Sequence, residues 1–114
     1  MEIIRTSKQE LTKKDIYRLS RSPEIEKMRD HVDEVVPVGR YLIYQDANGQ
    51  GEIVTVLSIE DRETGRVLAS NSATARDEFN FIADLMEEDD EPFDIKICEG
   101  TSKNGRKFIT LAMV

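Results

Sequence analysis

The sequence predicts a mainly β fold with helices, an α+β domain, and three observations carry that expectation. Residues 35–70 contain three stretches rich in β-branched and aromatic residues, parted by turn signals. Residues 72–88 switch to a helical period, and two further apolar stretches follow. A length of 114 residues fits a single domain over 1–114 with one hydrophobic core.

The opening third reads as helical. Thr12-Lys13-Lys14-Asp15 has the shape of a capping box: the threonine oxygen can accept from first-turn amides, and Asp15 suits the positive helix end. Ile16 and Leu19, with Tyr17 beside them, give a modest apolar stripe. Ser22-Pro23 then restarts a helix, because serine caps well and proline fits the first helical position. Ile25, Met28 and Val32 mark its buried side. Residues 1–34 are therefore expected to form a helical N-terminal extension of two short helices.

Val35 to Tyr44 is the first strand, with Pro37 at its start or on an edge, since proline cannot donate to a ladder. Asp46 to Gly51 is a turn in which Asn48-Gly49 is a strong hairpin signal. Ile53 to Ile59 makes a second strand and Arg66 to Ser70 a third. Ala75, Phe79, Ile82 and Met86 then fall on one helical face, with Thr74 to Asp77 as a plausible cap. Phe93 to Ile97 alternates as a half-buried fourth strand. Gly100 to Gly105 turns, and Phe108 to Val114 is the fifth strand.

The order over 35–114 is thus β-β-β-α-β-β. A five-stranded sheet that is apolar on one face can bury that face by closing into a barrel, which also removes its edges. A helix between strands three and four can plug the open end, and Phe79, Ile82 and Met86 supply the stripe it needs. This order matches the five-stranded OB-type Greek-key barrel, a fold that binds oligonucleotides and oligosaccharides. An antiparallel sheet with one helix packed on a face uses the same elements and stays open as the alternative.

The net charge of −7 sits in one segment. Residues 1–34 balance eight basic against eight acidic side chains, and 35–71 carry three against five. Residues 72–92 carry one against eight, and 93–114 carry four against two. Binding responds to the local field, so overall acidity does not exclude nucleic acid. No apolar run approaches the ~18 residues of a membrane span, and the N-terminus lacks a secretion signal. The single Cys98 forms no intrachain disulfide and fits a reducing, cytoplasmic setting.

Nothing points to catalysis, a metal or a cofactor. His31, the one histidine, has no cysteine or second histidine near it, and reads as a surface side chain at a helix end. Cys98 has no visible base to activate it and reads as a spectator thiol.

Binding is better supported. The segment Gly100 to Lys107 sets Lys103, Arg106 and Lys107 on one hairpin turn, the loop that borders the ligand groove in OB barrels. If Ile109, Leu111 and Met113 face the core, Phe108 and Thr110 face outward. A phenylalanine beside cations is how a single-strand binder offers a base a stacking surface. Lys96, out of phase with Ile95 and Ile97, joins that outer face. Arg40, Tyr41 and Tyr44 on the first strand add a cation and two aromatics. The tyrosines are three apart, so a regular strand turns only one of them outward as a stacking platform. The acidic run Asp84, Glu87, Glu88, Asp89, Asp90 and Glu91 is either a solvated face or a partner-docking patch.

The chain resembles the small single-stranded DNA-binding proteins of phages and mobile elements of Gram-positive bacteria. The resemblance is carried by Arg5 to Thr12, Leu57 to Glu60, Ala69 to Ser72 and Gly100 to Phe108. It implies an OB fold, sequence-tolerant binding of single-stranded DNA, and a role in DNA replication or recombination, with replication or recombination proteins as further partners. The N-terminal helices could also make a contact between copies of the chain. The rival readings are a protein-interaction module, or a DNA-mimicking inhibitor acting through residues 84–91.

Overall fold

The computed structural model describes residues 1–114. Seven strands and two α-helices follow one another as β1 (Glu2–Thr6), α1 (Lys13–Ser20), β2 (Glu26–Lys27), β3 (Val35–Ala47), β4 (Ile53–Asp61), β5 (Val67–Ser70), α2 (Ala73–Glu87), β6 (Asp94–Thr101) and β7 (Lys107–Met113). A single 3-10 turn at Met28–Asp30 precedes β3. The fold is α+β, mostly strands, with the sheet curled into a half-barrel. Neither helix is long and apolar enough to cross a membrane.

Strand order is β2-β5-β4-β3-β6-β7, with β1 also paired to β3. The curl originates in β3, whose thirteen residues serve two partners in turn. Val35–Pro37 pair with β6 and Leu42–Gln45 pair with β1, all antiparallel. The register against β4 breaks between Val38 and Tyr41. Gly39 sits in that break, where a Cβ would come within 3.2 Å of the Arg62 Cα and the Glu60 carbonyl. A side chain there would push the two strands apart.

Two apolar layers lie on opposite sides of the sheet. The larger one joins Ile43, Leu57, Ile59, Leu68, Ile95 and Ile97 to Ala75, Phe79, Ile82 and Ala83 of α2. The Phe79 and Tyr41 rings meet edge-on with centroids 4.7 Å apart. On the other side, Leu42, Tyr44 and Val67 are covered by Leu19 of α1, with Leu11, Ile16 and Ile25 around it.

The strand count and the N-terminal helices depart from the sequence reading. Thr12 does cap α1, accepting from the Asp15 amide at 3.1 Å while Asp15 accepts from the Thr12 amide at 3.0 Å. The second helix, expected after Ser22-Pro23, does not form. A helix would put Ile25 and Met28 on one face, but they belong to opposite layers. The chain instead passes round the edge of the sheet, pairing Glu26 and Lys27 in parallel with Leu68 and Ala69 as it goes. Residues 1–34 are thus built into the sheet and are not a helical extension. At α2 the cap is Ser72, which accepts from the Ala75 amide at 3.2 Å, not Thr74.

Asp61 organises the turn between β4 and β5. Its Oδ1 accepts from the amides of Glu63 and Thr64 at 2.8 and 3.1 Å, and Arg66 donates to Oδ2 at 3.2 Å. Burial alone would raise this carboxyl, but those amides and Arg66 outweigh it and hold it below its ordinary 3.8. A carboxylate lowered by folding stabilises fully above its unfolded value, and that contribution is lost as pH falls through the folded value. Asp61→Asn keeps an acceptor and loses the charge. It should lower the urea midpoint at neutral pH, with the deficit shrinking towards about pH 3. An equal deficit at both pH values would refute this account.

Candidate nucleic-acid interface

The start of α2, just after β5, packs on β7. The Ser72 hydroxyl spans the seam, donating to the Ile109 carbonyl at 2.5 Å. A groove of roughly 750 Å³ opens along it. One wall is the exposed pair Lys27 and Arg29, which bracket the buried Met28. The floor holds Val56 and Ala69, and Asn71, Ser72 and Thr74 follow at the end of β5. The far wall is Lys107, Phe108 and Ile109 of β7, with Glu99 across from them on β6.

The β6–β7 hairpin sets the polarity of that wall. Ile109 and Leu111 are buried, so Phe108 and Thr110 point to the opposite face. Phe108 is half-buried and pairs across the strands with Gly100. Its ring edge fills the space a Cβ would take, since a Cβ on Gly100 would lie 2.5 Å from the Phe108 Cζ. The turn itself is Ser102–Arg106, closed by the Ser102 amide donating to the Arg106 carbonyl at 2.8 Å, with Gly105 at φ +78°. Gly100 and Thr101 belong to β6. Met113 is exposed and does not reach the core.

Ion pairing sorts the cations. Of sixteen Lys and Arg side chains, eight are held by carboxylates: Arg5, Lys8, Arg18, Arg21, Arg40, Arg62, Arg66 and Lys107. Lys107 is the loosest of these, 3.6 Å from Glu99 and itself well exposed. Lys27, Arg29, Lys103 and Arg106 form no ion pair and are exposed, two on the groove wall and two on the adjoining turn. Lys96 is also exposed and unpaired. It lies on the Phe108 face of the hairpin, four cross-strand pairs further from the turn than Gly100.

The three site residues expected on the first strand are used elsewhere. Arg40 reaches Asp15 at 3.3 Å. Tyr41 and Tyr44 do point to opposite faces, but both faces of β3 are covered, by α2 and by α1. Neither ring is open to a base, which corrects the expectation that one would be. The Tyr41 hydroxyl donates to Glu87 and accepts from Arg5 Nε at 3.2 Å. Burial, reinforced by the Glu87 carboxylate, holds the Tyr41 phenol well above its ordinary range. Lys27 and Arg29 were not singled out in the sequence, because residues 22–32 read as a helix. The available signal was the pattern of two cations flanking one apolar Met28.

The acidic run at the end of α2 is partly answered from within the chain. Arg5 on β1 reaches Asp84 at 2.8 Å and Glu87 at 3.2 Å, and Lys8 reaches Asp90 at 2.7 Å. These cations also offset the negative helix end. Glu88, Asp89 and Glu91 are left to solvent. Arg5→Ala should therefore destabilise the fold by about 2 kcal/mol in urea titrations, the scale of a charged hydrogen-bond set lost. Neutralising Glu88, Asp89 and Glu91 together should move it by less than about 0.5 kcal/mol. The reverse ranking would make the run something other than a structural tie.

His31 does sit at a helix end, closing the 3-10 turn Met28–Asp30, but it is half-buried between Glu26, 2.9 Å from Nε2, and Glu34 at Nδ1. The His31 contact and Arg66 together hold the Glu34 carboxyl below its usual range. No group of three or more His, Cys, Asp and Glu side chains is arranged to hold a metal ion. Comparison with protein-family models, with curated proteins and with solved structures finds no match to this chain.

Proposed function

We propose that this chain is an OB-type barrel that binds single-stranded DNA without strong sequence preference, through the seam groove and the β6–β7 turn. The strand, helix and strand order from Val35 onward supports the barrel reading, with β1, α1 and β2 added to its sheet. The observation that carries the function is the grouping of unpaired cations on one groove. Lys27 and Arg29 line it together with Phe108, and Lys103 and Arg106 lie on the turn that leads into its Lys107–Phe108 side. Cations along a backbone path beside an aromatic ring are what sequence-tolerant strand binding requires, because every base has a π-face and every phosphate a charge. Arg40, Tyr41 and Tyr44 take no part in this interface, and Lys96 adds charge on its outer side. With the resemblance to phage and mobile-element proteins, the reading extends to strands exposed during replication or recombination in the cytoplasm.

The test is an anisotropy titration of dye-labelled oligo-dT and of a duplex of equal length, repeated at several salt concentrations. The single strand should bind more tightly than the duplex, and log K should fall linearly with log salt. Absence of binding, or binding that ignores salt, would sink the proposal.

A further inference from the structure

We infer that α1 carries a second strand-contacting surface, in which Tyr17 stacks on a base and Lys13 and Lys14 meet the neighbouring phosphates. The inference rests on the single-strand reading above and lengthens its footprint beyond the groove.

Tyr17 is the only tyrosine of the chain that solvent reaches freely. It is 59% exposed, whereas Tyr41 and Tyr44 are buried. The sheet-facing stripe of α1 is made by Ile16 and Leu19, so the Tyr17 ring is not needed for packing. Lys13 and Lys14 precede it by four and three residues on the helix, which sets all three on one face. Neither lysine has a carboxylate partner, while Arg18, next along, is held by Asp15 and Glu60. Together they line a shallow depression of about 500 Å³ whose one acid is Glu24. An exposed ring with two free cations beside it repeats the chemistry of the groove wall.

One groove residue touches the layer that α1 covers: Val56 lines the groove and also packs against that layer.

The chain has three tyrosines and no tryptophan, so its emission comes from tyrosine, and Tyr17 is the exposed ring that a strand can reach and quench. Oligo-dT of roughly 4 and roughly 16 nucleotides brackets the span of one barrel. The longer strand should quench tyrosine emission after inner-filter correction. Tyr17→Phe should keep the affinity and lose the quench. Tyr17→Ala should bind the longer strand about tenfold more weakly, within what one base stack is worth, and the shorter strand as before. A quench that persists in Tyr17→Phe, or an unchanged affinity of Tyr17→Ala for the longer strand, would overturn this inference and leave the groove reading standing. Failure of either strand to bind by anisotropy would overturn both.

Discussion

Phe79→Ala is expected to lower the free energy of unfolding by about 3–5 kcal/mol, seen as a fall in urea midpoint at an unchanged slope. Phe79 is fully buried where α2 meets the concave side of the sheet. Its ring meets Tyr41 at 4.7 Å and Phe93 at 6.1 Å between centroids. Truncation removes the transfer energy of a whole ring and leaves a cavity that three strands and a helix cannot close. Domains of this size have about 5–15 kcal/mol to lose, so the variant should be barely stable. Phe81, two residues on, provides the control. It is 67% exposed, and Phe81→Ala should stay within about 0.5 kcal/mol of the parent. Similar effects at the two positions would mean that α2 does not seat on the sheet as described.

That contrast also shows what was legible in advance. The helical period of residues 72–88 picked out Ala75, Phe79 and Ile82, all buried, because one face of α2 meets one continuous surface. Alternation likewise picked out Ile95 and Ile97, and Ile109 and Leu111, on the inner face of the last hairpin. The first third was less legible, for a tertiary reason. The β1 segment Glu-Ile-Ile-Arg-Thr is mostly exposed and has no alternation of its own, and it is a strand because β3 offers an edge to it. Ile25 and Met28 have helical spacing, but they serve two layers on opposite sides of the sheet, which periodicity within one element cannot represent. The site inherited that gap. The β7 wall of the groove was readable, and the Lys27–Arg29 wall was not, because a neighbour far along the chain positions it. Tyr44 was misjudged for the same reason: α1 covers the face that a bare barrel would leave open, while Tyr41 lies in the core beneath α2.

Lys27, Arg29, Lys103 and Arg106 replaced together by alanine should weaken oligo-dT binding by about three orders of magnitude at low salt. A cation near a phosphate in water gains about 1 kcal/mol, and four of them sum to about 4 kcal/mol. The more specific signature is the salt dependence. Each phosphate no longer neutralised removes about 0.7 from the slope of log K against log salt on a single strand, so the variant's slope should flatten by about 3. These four residues form no ion pairs and are exposed, so the fold should tolerate the change, which circular dichroism can verify. Phe108→Ala separates the two contributions. It should lose about 1–3 kcal/mol of binding if the ring stacks on a base, with the slope intact, because stacking releases no counterions. A quadruple variant that folds and keeps the parent slope would mean that phosphates do not follow this groove, whatever the affinity of the chain for single strands. A flattened slope joined to an unaffected Phe108→Ala would keep the electrostatic path and remove the ring from it, leaving Phe108 to its packing against Gly100.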